Sequence, residues 1–292
     1  MRKYLRELDW VTIGVALLLC AVGLVAIYSA RRAQADGLFY VRKQAIAMSI
    51  GILAMFVVAY FPIQSWLRWT KLVYFLNVGL LIYVDLFGKV TKGSQRWIPL
   101  PGGFHLQPSE LAKLFVILTL AAWLASREDR IRRPTTVLYS LAYIGVPVLL
   151  IFKQPDLGTS LVVMAIWFGM MMLAGANLKH LGTVLALGAV AFAALWHFNV
   201  LEDYQKDRLI AFLDPQRDPR GSGYHIIQAR IAVGSGQVFG KGLFQGTQNE
   251  LLFIPEQHTD FIFTVVAEET GFVGSMTLVL AYALLLWRAS RV

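Results

Sequence analysis

Long uncharged apolar runs constrain this chain more than any other feature. Residues 11–30, 44–61, 136–152 and 157–174 contain no Asp, Glu, Lys or Arg, and a hydrocarbon core about 30 Å thick is crossed by roughly 20 helical residues. Residues 72–84, 114–125, 178–200 and 270–287 are further apolar runs with charges near one end. The pattern predicts an all-α, polytopic integral membrane protein of about eight spans. Composition agrees: 57% of residues are hydrophobic and 15% charged, which excludes an ordinary soluble domain. The first run follows Arg2, Lys3 and Arg6 as a secretory signal would. It is longer than a signal's apolar core, however, and Glu7 and Asp9 interrupt the basic flank, so it reads as a mature span. Cys20, the single cysteine, excludes an internal disulfide and fits neither a zinc nor a redox motif.

The tight cluster Arg127, Arg130, Arg132 and Arg133 favours a cytoplasmic N-terminus. On that topology Arg31, Arg32, Arg42, Lys43, Lys89, Lys92, Arg96, Lys113 and Lys153 lie outside. They suit either an anionic ligand bound from that side or lipid headgroups met by snorkelling side chains. We expect a single membrane domain, 1–292, with an extracytoplasmic loop, 201–259, between spans seven and eight that folds onto the outer face. That loop is too long for a plain connection, and residues 224–233 have the pattern of a short amphipathic helix with Ile226, Ile227 and Ile231 on one side. Neither nucleotide motif in the loop is complete: Gly240-Lys241 lacks the flanking residues of a phosphate loop, and Gly234-x-Gly236 lacks the third glycine.

The polar residues inside or beside the spans carry the functional signal. Residues 87–107, rich in Gly and Pro, predict a compact irregular cap holding Gln95-Arg96-Trp97. Trp at such a depth is an interface anchor, and Arg beside Trp also suits a pyrophosphate and its attached sugar. In Gln107-Pro108-Ser109-Glu110-Leu111-Ala112-Lys113, proline at the first helical position puts Glu110 in the first turn, an ordinary place for a carboxylate. Lys113 follows one turn on and on the same face, where pairing with Glu110 is the cheaper arrangement in a span. Gln154-Pro155-Asp156 repeats the device, and a helix cap suffices to explain Asp156 by itself. The costliest stretch is Pro255-Glu256-Gln257-His258-Thr259-Asp260-Phe261-Ile262-Phe263, which runs on to Glu268-Glu269 within an apolar segment. An aspartate at the bilayer centre is penalised by roughly 2.5 to 3.5 kcal/mol. Asp260 therefore belongs at the membrane border or in a wet cavity, and as a residue type it serves equally well as an interfacial N-cap, as does Thr259.

These stretches, with Gly223-Tyr224-His225-Ile226-Ile227-Gln228, Gly240-Lys241-Gly242 and Gly246-Thr247-Gln248, resemble the SEDS family of membrane proteins, the family of RodA and FtsW, in family order over nearly the whole chain. The resemblance implies an inverting peptidoglycan glycosyltransferase that polymerises lipid II on the outer face of the bacterial cytoplasmic (inner) membrane and releases undecaprenyl pyrophosphate. Gly-Thr-Gln before the Pro-Glu motif is similar to the elongation branch, RodA, hence cell-wall elongation and cell shape. The family has ten spans where this chain carries eight, and Gln257 stands where relatives often have a basic residue. The implied site has Asp260 as the catalytic base for the GlcNAc 4-hydroxyl. Arg42, Arg96, Trp97, Glu110, Lys113, Gln154, Asp156, Arg208 and His258 form the implied substrate-binding set. In it the cations meet the departing pyrophosphate, and Glu110 and Asp156 hold those cations or ligate a divalent ion, Mg or Mn. No nucleotide is implied. The implied partners are lipid II, a class B penicillin-binding protein transpeptidase and other membrane proteins of the elongation complex, and no nucleic acid. A lipid II flippase would use the same polar cavity and is the alternative; a non-catalytic scaffold for a synthase is a third reading.

Overall fold

The structure, a computed structural model, describes residues 8–32, 34, 36–91, 94–200, 203–219, 221, 223–247, 254 and 257–291. The apolar runs are helices, because only a helix satisfies every backbone group of a single segment in lipid. They are α1 (Trp10–Arg31), α2 (Gly37–Tyr60), α4 (Thr70–Phe87), α5 (Pro108–Ala125), α6 (Pro134–Lys153), α7 (Leu157–Leu173), α8 (Leu178–His197) and α11 (Ile262–Ala289). A short α3 (Ile63–Arg68) precedes α4, and α9 (Asp203–Leu213) and α10 (Tyr224–Ser235) lie between α8 and α11. Seven helices are long and apolar enough to cross a membrane; α7 is apolar but has 17 residues, about 26 Å at 1.5 Å each. The chain is a multi-pass membrane protein.

Helix ends sit where the local chemistry puts them. Asp9 caps α1 by accepting from the Val11 and Thr12 amides, proline occupies the first turn of α5 and of α6, and Asn177 caps α8. Each device meets amide donors that a helix start leaves open, or dispenses with one.

Contacts group the chain into two compact units, Phe61–Glu202 on the one hand and Met1–Tyr60 with Asp203–Val292 on the other. The core of the first comes from α4 to α8: Leu81, Val116, Leu120, Ile144, Ile151, Val163, Trp167 and Met171 are all buried. Hydrocarbon offers no hydrophobic drive to join helices, so close packing and interhelical hydrogen bonds must do it. The Trp167 indole donating to Ser140 Oγ at 3.0 Å, between α7 and α6, is such a bond.

The segment expected to be an irregular cap is a small antiparallel sheet, β1 (Lys89–Thr91), β2 (Ser94–Pro99) and β3 (His105–Leu106), in that order. Ile98 pairs with Leu106 and Pro99 with His105. Gly102 and Gly103, both at φ 75°, reverse the chain between β2 and β3, so the glycines that suggested irregularity are turn residues.

In the second unit α11 packs on α1 and on α10, and α1 on α2. Small residues make these approaches possible: Ala26, Ser29 and Ala30 of α1, Ala232 of α10 and Ala267 of α11 are buried. Beyond α10, a Cβ on Gly236 would lie 2.0 Å from the Ala267 carbonyl oxygen. That close approach leaves Ala232 as the buried residue of α10; of the three isoleucines, Ile226 and Ile227 are partly buried and Ile231 is exposed. α11 is not continuous. Its backbone breaks at Gly271 (φ 65°, ψ −160°), and the freed groups pair with the segment after α10. The Phe272 and Val273 amides donate to Gln237 and Val238 carbonyls at 2.8 and 3.1 Å, while Lys241 and Gly242 amides donate to Glu268 and Glu269 carbonyls, both at 3.0 Å. Non-helical backbone within a span is tolerated where protein supplies such partners.

Candidate functional site

In the Phe61–Glu202 unit, one end gathers most of the expected substrate-binding residues. Arg96 on β2 donates from Nε to the Gln154 carbonyl at 2.8 Å and from its other end to the Pro155 carbonyl. Its guanidinium also lies 3.8 Å from the Asp156 carboxylate. Arg96 thus straps the sheet to the turn between α6 and α7. Asp156 caps α7, accepting from the Thr159 amide at 3.2 Å, and it also accepts from Gln107 Nε2 at 3.2 Å. Gln107 bonds Ser109 Oγ at 3.1 Å. Gln154 is buried and donates to the Leu81 carbonyl at 3.1 Å, while its Oε1 has no partner among the described residues. Trp97 is partly buried and pairs in the sheet opposite Lys89.

Glu110 and Lys113 form the expected one-turn pair on α5, 2.8 Å apart, with the carboxylate side chain 54% exposed and the lysine 28%. Exposed pairs of this kind stabilise by at most about 1 kcal/mol. The ammonium is held in place by this pair without being sealed off. Gln107 and Ser109 complete this end, and sequence reasoning had them in the motif without a role.

In the other unit, Asp260 ends the turn that leads into α11. The helix is capped by Phe261, with no side-chain hydrogen bond to its first amides, so Asp260 is not the N-cap. Its carboxylate is exposed. His258 stands edge-on to Tyr40, ring centroids 4.7 Å apart, and the Arg31 guanidinium lies 4.2 Å from the same tyrosine ring, a cation–π distance. Arg42 is exposed on α2. Arg208 falls in α9, but its side chain lies outside the described residues, as do Pro255, Glu256 and Gln248 of the family motifs.

Two interactions near α11 had not been anticipated. Glu268 is fully buried and its Oε1 lies 2.6 Å from Lys241 Nζ. Thr247 Oγ1 donates to the same oxygen at 3.1 Å and accepts from Lys241 at 2.8 Å. Glu269, also buried, accepts from Ser29 Oγ of α1. The only sequence signal was the co-occurrence of Gly240-Lys241-Gly242 and Glu268-Glu269 in one chain, with nothing local to link them. Among the described residues no group of three His, Cys, Asp or Glu side chains is placed to hold a metal ion.

Comparison with known proteins follows the same lines. The model of the cell cycle protein family of FtsW, RodA and SpoVE matches residues 9–292. The chain is 40% identical over 289 residues to the peptidoglycan glycosyltransferase MrdB of Escherichia coli (strain K12), covering 98% of this chain and 76% of that protein. Among solved structures it is similar to a chain from a study of how a peptidoglycan synthase complex coordinates polymerization and crosslinking, with a TM-score of 0.73 and 29% identity over 97% of this chain and 77% of the other. It is also similar to the rod shape determining protein RodA of Thermus thermophilus, with a TM-score of 0.66 and 26% identity over 97% and 74%.

Proposed function

Since the chain belongs to the cell cycle protein family of FtsW, RodA and SpoVE, we propose that it works as a peptidoglycan glycosyltransferase of cell-wall elongation with Asp260 as its catalytic base. The elongation role follows the likeness to MrdB and to a rod shape determining protein. The single observation that carries the catalytic assignment is the state of Asp260: exposed, at the mouth of a span, and without the capping role that would account for it.

A sugar hydroxyl is a poor nucleophile and needs a base within about 2.6 to 3.2 Å. Asp260 accepts the proton of the GlcNAc 4-hydroxyl of the acceptor as that oxygen bonds to C1 of the donor MurNAc. The bond from C1 to the phosphate oxygen breaks with its electron pair on undecaprenyl pyrophosphate, and C1 inverts through an oxocarbenium-like transition state. Arg42, Lys113 and Arg208 are the cations assigned to the departing charge, Lys113 being oriented by Glu110. Arg96, Gln154 and Asp156 hold the sheet and the α6–α7 turn as one surface, on which Trp97 serves sugar binding; His258, edge-on to Tyr40, is assigned to the headgroup. Were a Mg or Mn ion to assist, Glu110 or Asp156 would be the carboxylates to hold it, and it would help neutralise the departing pyrophosphate, although no group of three such side chains is gathered among the described residues. We place the N-terminus in the cytoplasm and the site on the outer face of the inner membrane, as the arginines of residues 127–133 favour. A class B penicillin-binding protein is the transpeptidase partner this reading calls for, in line with the synthase complex of the structural relative.

The test is polymerisation of purified lipid II by the detergent-solubilised chain, alone and with its transpeptidase. Wild type makes glycan polymer, and Asp260→Asn and Asp260→Ala lose at least about 100-fold, the lower range for a general base. Polymer made by Asp260→Ala at the wild-type rate would overturn the assignment. A wild-type protein that moves lipid II across vesicles and makes no polymer would favour the flippase.

A further inference from the structure

At the opposite end of the Phe61–Glu202 unit lies a feature the polymerase reading does not use. The loop between α5 and α6 places Arg127, Arg130 and Arg133 around a pocket of about 520 Å³, closed on its other side by Thr136, Tyr139 and Tyr143. The size suits a small ligand or headgroup. All three arginines are exposed, and among the described residues none makes an ion pair, although Glu128 and Asp129 sit in the same loop. Two of them are partly fixed. Arg127 lies over the Trp123 ring at 4.0 Å and donates to the Ser126 hydroxyl at 2.8 Å, and the Arg130 carbonyl accepts from Thr136 Oγ1 at 2.7 Å. The first turn of α6 opens beside them, so the positive end of its dipole adds to the field.

This basic pocket continues into an apolar one. A cleft of about 620 Å³ shares Trp123, Arg127 and Tyr143 with it and runs along Leu67, Phe75 and Ala122. Its wall is rigid: Tyr74 and Tyr143 stack at 4.3 Å, and the Tyr74 hydroxyl donates to the Tyr143 carbonyl at 2.9 Å. A cationic recess joined to an apolar groove at the end of membrane spans matches one occupant by charge and by shape. We propose that this site binds an anionic phospholipid, its phosphate on Arg127, Arg130 and Arg133 and an acyl chain along the cleft. Guanidinium forks pair with phosphate oxygens in two-point contacts, and basic pockets between spans are used for such headgroups. A role confined to membrane orientation would need the four loop charges and nothing more; it explains neither the aromatic wall nor the cleft. The arginines of the site begin 14 residues beyond Lys113, about 21 Å at 1.5 Å per residue, and its occupancy is independent of the chemistry proposed at Glu110 and Lys113.

The experiment measures retention of tetraoleoyl cardiolipin and dioleoylphosphatidylglycerol against dioleoylphosphatidylcholine by the intact detergent-solubilised chain, using native mass spectrometry and titration. The anionic lipids are retained at least about 10-fold more tightly. Neutralising Arg127, Arg130 and Arg133 to Gln together lowers that affinity about 100-fold, each charge contributing about 5-fold. Changing the same three to Lys preserves the charge and the orientation signal yet loses several-fold, because the fork geometry is gone. Ala122→Phe fills the cleft without touching a charge and weakens lipid retention too, which keeps the test valid should the triple variant fold poorly. Equal retention of phosphatidylcholine, unchanged binding by the Gln variant, or displacement of cardiolipin by inorganic phosphate at the same concentration would each overturn the proposal, the last by showing that the acyl chain adds nothing.

Discussion

The ion pair between Lys241 and Glu268 allows a sharp test of what holds the broken helix α11. The two partners are unequally buried: the Glu268 side chain is 0% exposed and that of Lys241 27%. Lys241→Met therefore leaves a buried carboxylate without its cation, and breaking a buried pair in this way costs about 3 to 5 kcal/mol. Glu268→Gln is milder. The amide oxygen still accepts from Lys241 and Thr247, and the partly exposed ammonium keeps its access to water, so the loss is about 1 to 2 kcal/mol. In a chain of this size 1 kcal/mol moves the melting temperature by roughly 2 °C. Thermal unfolding in detergent should then show a drop of about 6 to 10 °C for Lys241→Met and about 2 to 4 °C for Glu268→Gln. Lys241→Met combined with Glu268→Leu should recover most of the loss, because an apolar pair needs no compensation there. Equal drops for the two single variants, or a double variant as unstable as the sum, would refute the argument from unequal burial. Glu268 lies about two turns beyond Asp260, the proposed base, and Lys241 ties that turn of α11 to the segment after α10.

Gly240→Ala places a left-handed alanine (φ 81°) with its Cβ 2.1 Å from the Glu269 carbonyl oxygen and 2.6 Å from the Thr270 amide nitrogen; neither can yield, and a loss above about 2 kcal/mol is expected in the same melting assay. Asp9 is held well below its usual value, chiefly by the Arg288 guanidinium, which bonds it at 2.6 and 3.1 Å, and by the Thr12 hydroxyl. A carboxylate depressed in the folded state contributes its stability above the unfolded value of 3.8 and loses it as the pH falls from there through the folded value. The melting-temperature gap between wild type and Asp9→Asn should thus be full at pH 7 and close on acidification below about pH 4. Arg96→Lys keeps the charge but cannot reach the Gln154 and Pro155 carbonyls and Asp156 together; polymerisation should fall about 10-fold while helix content stays unchanged.

The spans were legible because lipid leaves a chain few choices. All eight apolar runs became helices, several extended at their ends by prolines and caps that a hydropathy argument does not see. The sheet of residues 89–106 was not legible. Its strands are short, and Gly and Pro in such numbers read as irregular until their turns are seen to fall between strands. The break at Gly271 was hidden for another reason: apolar periodicity is the same on both sides of it, and its partners lie some thirty residues back in the chain. The pairing of Lys241 with Glu268 has the same non-local origin. The Glu110–Lys113 pair, by contrast, is one helical turn and could be read from spacing alone.

For Asp260 the sequence left capping and chemistry equally open; it does not cap α11, and the neighbouring acids supply the comparison that tests its proposed role. Every other described carboxylate that begins or ends a span, or lies within one, has a structural duty. Asp9 caps α1 and pairs with Arg288, Asp85 pairs with Lys153 at 2.7 Å, Glu110 with Lys113, Asp156 caps α7 beside Arg96, Glu268 holds Lys241, and Glu269 accepts from Ser29. Removing one of those charges removes a bond, and stability must fall. Asp260 caps nothing, so Asp260→Asn should melt within about 1 °C of wild type, a surface change being worth at most about 0.5 kcal/mol, while its polymerase activity is gone. Asp156→Asn, the internal control, weakens a cap and an ion contact and should melt lower by about 1 to 2 kcal/mol. If Asp260→Asn fell as far as Asp156→Asn, its carboxylate would rank with the structural acids, and its position at the mouth of α11 would no longer require a reaction to explain it.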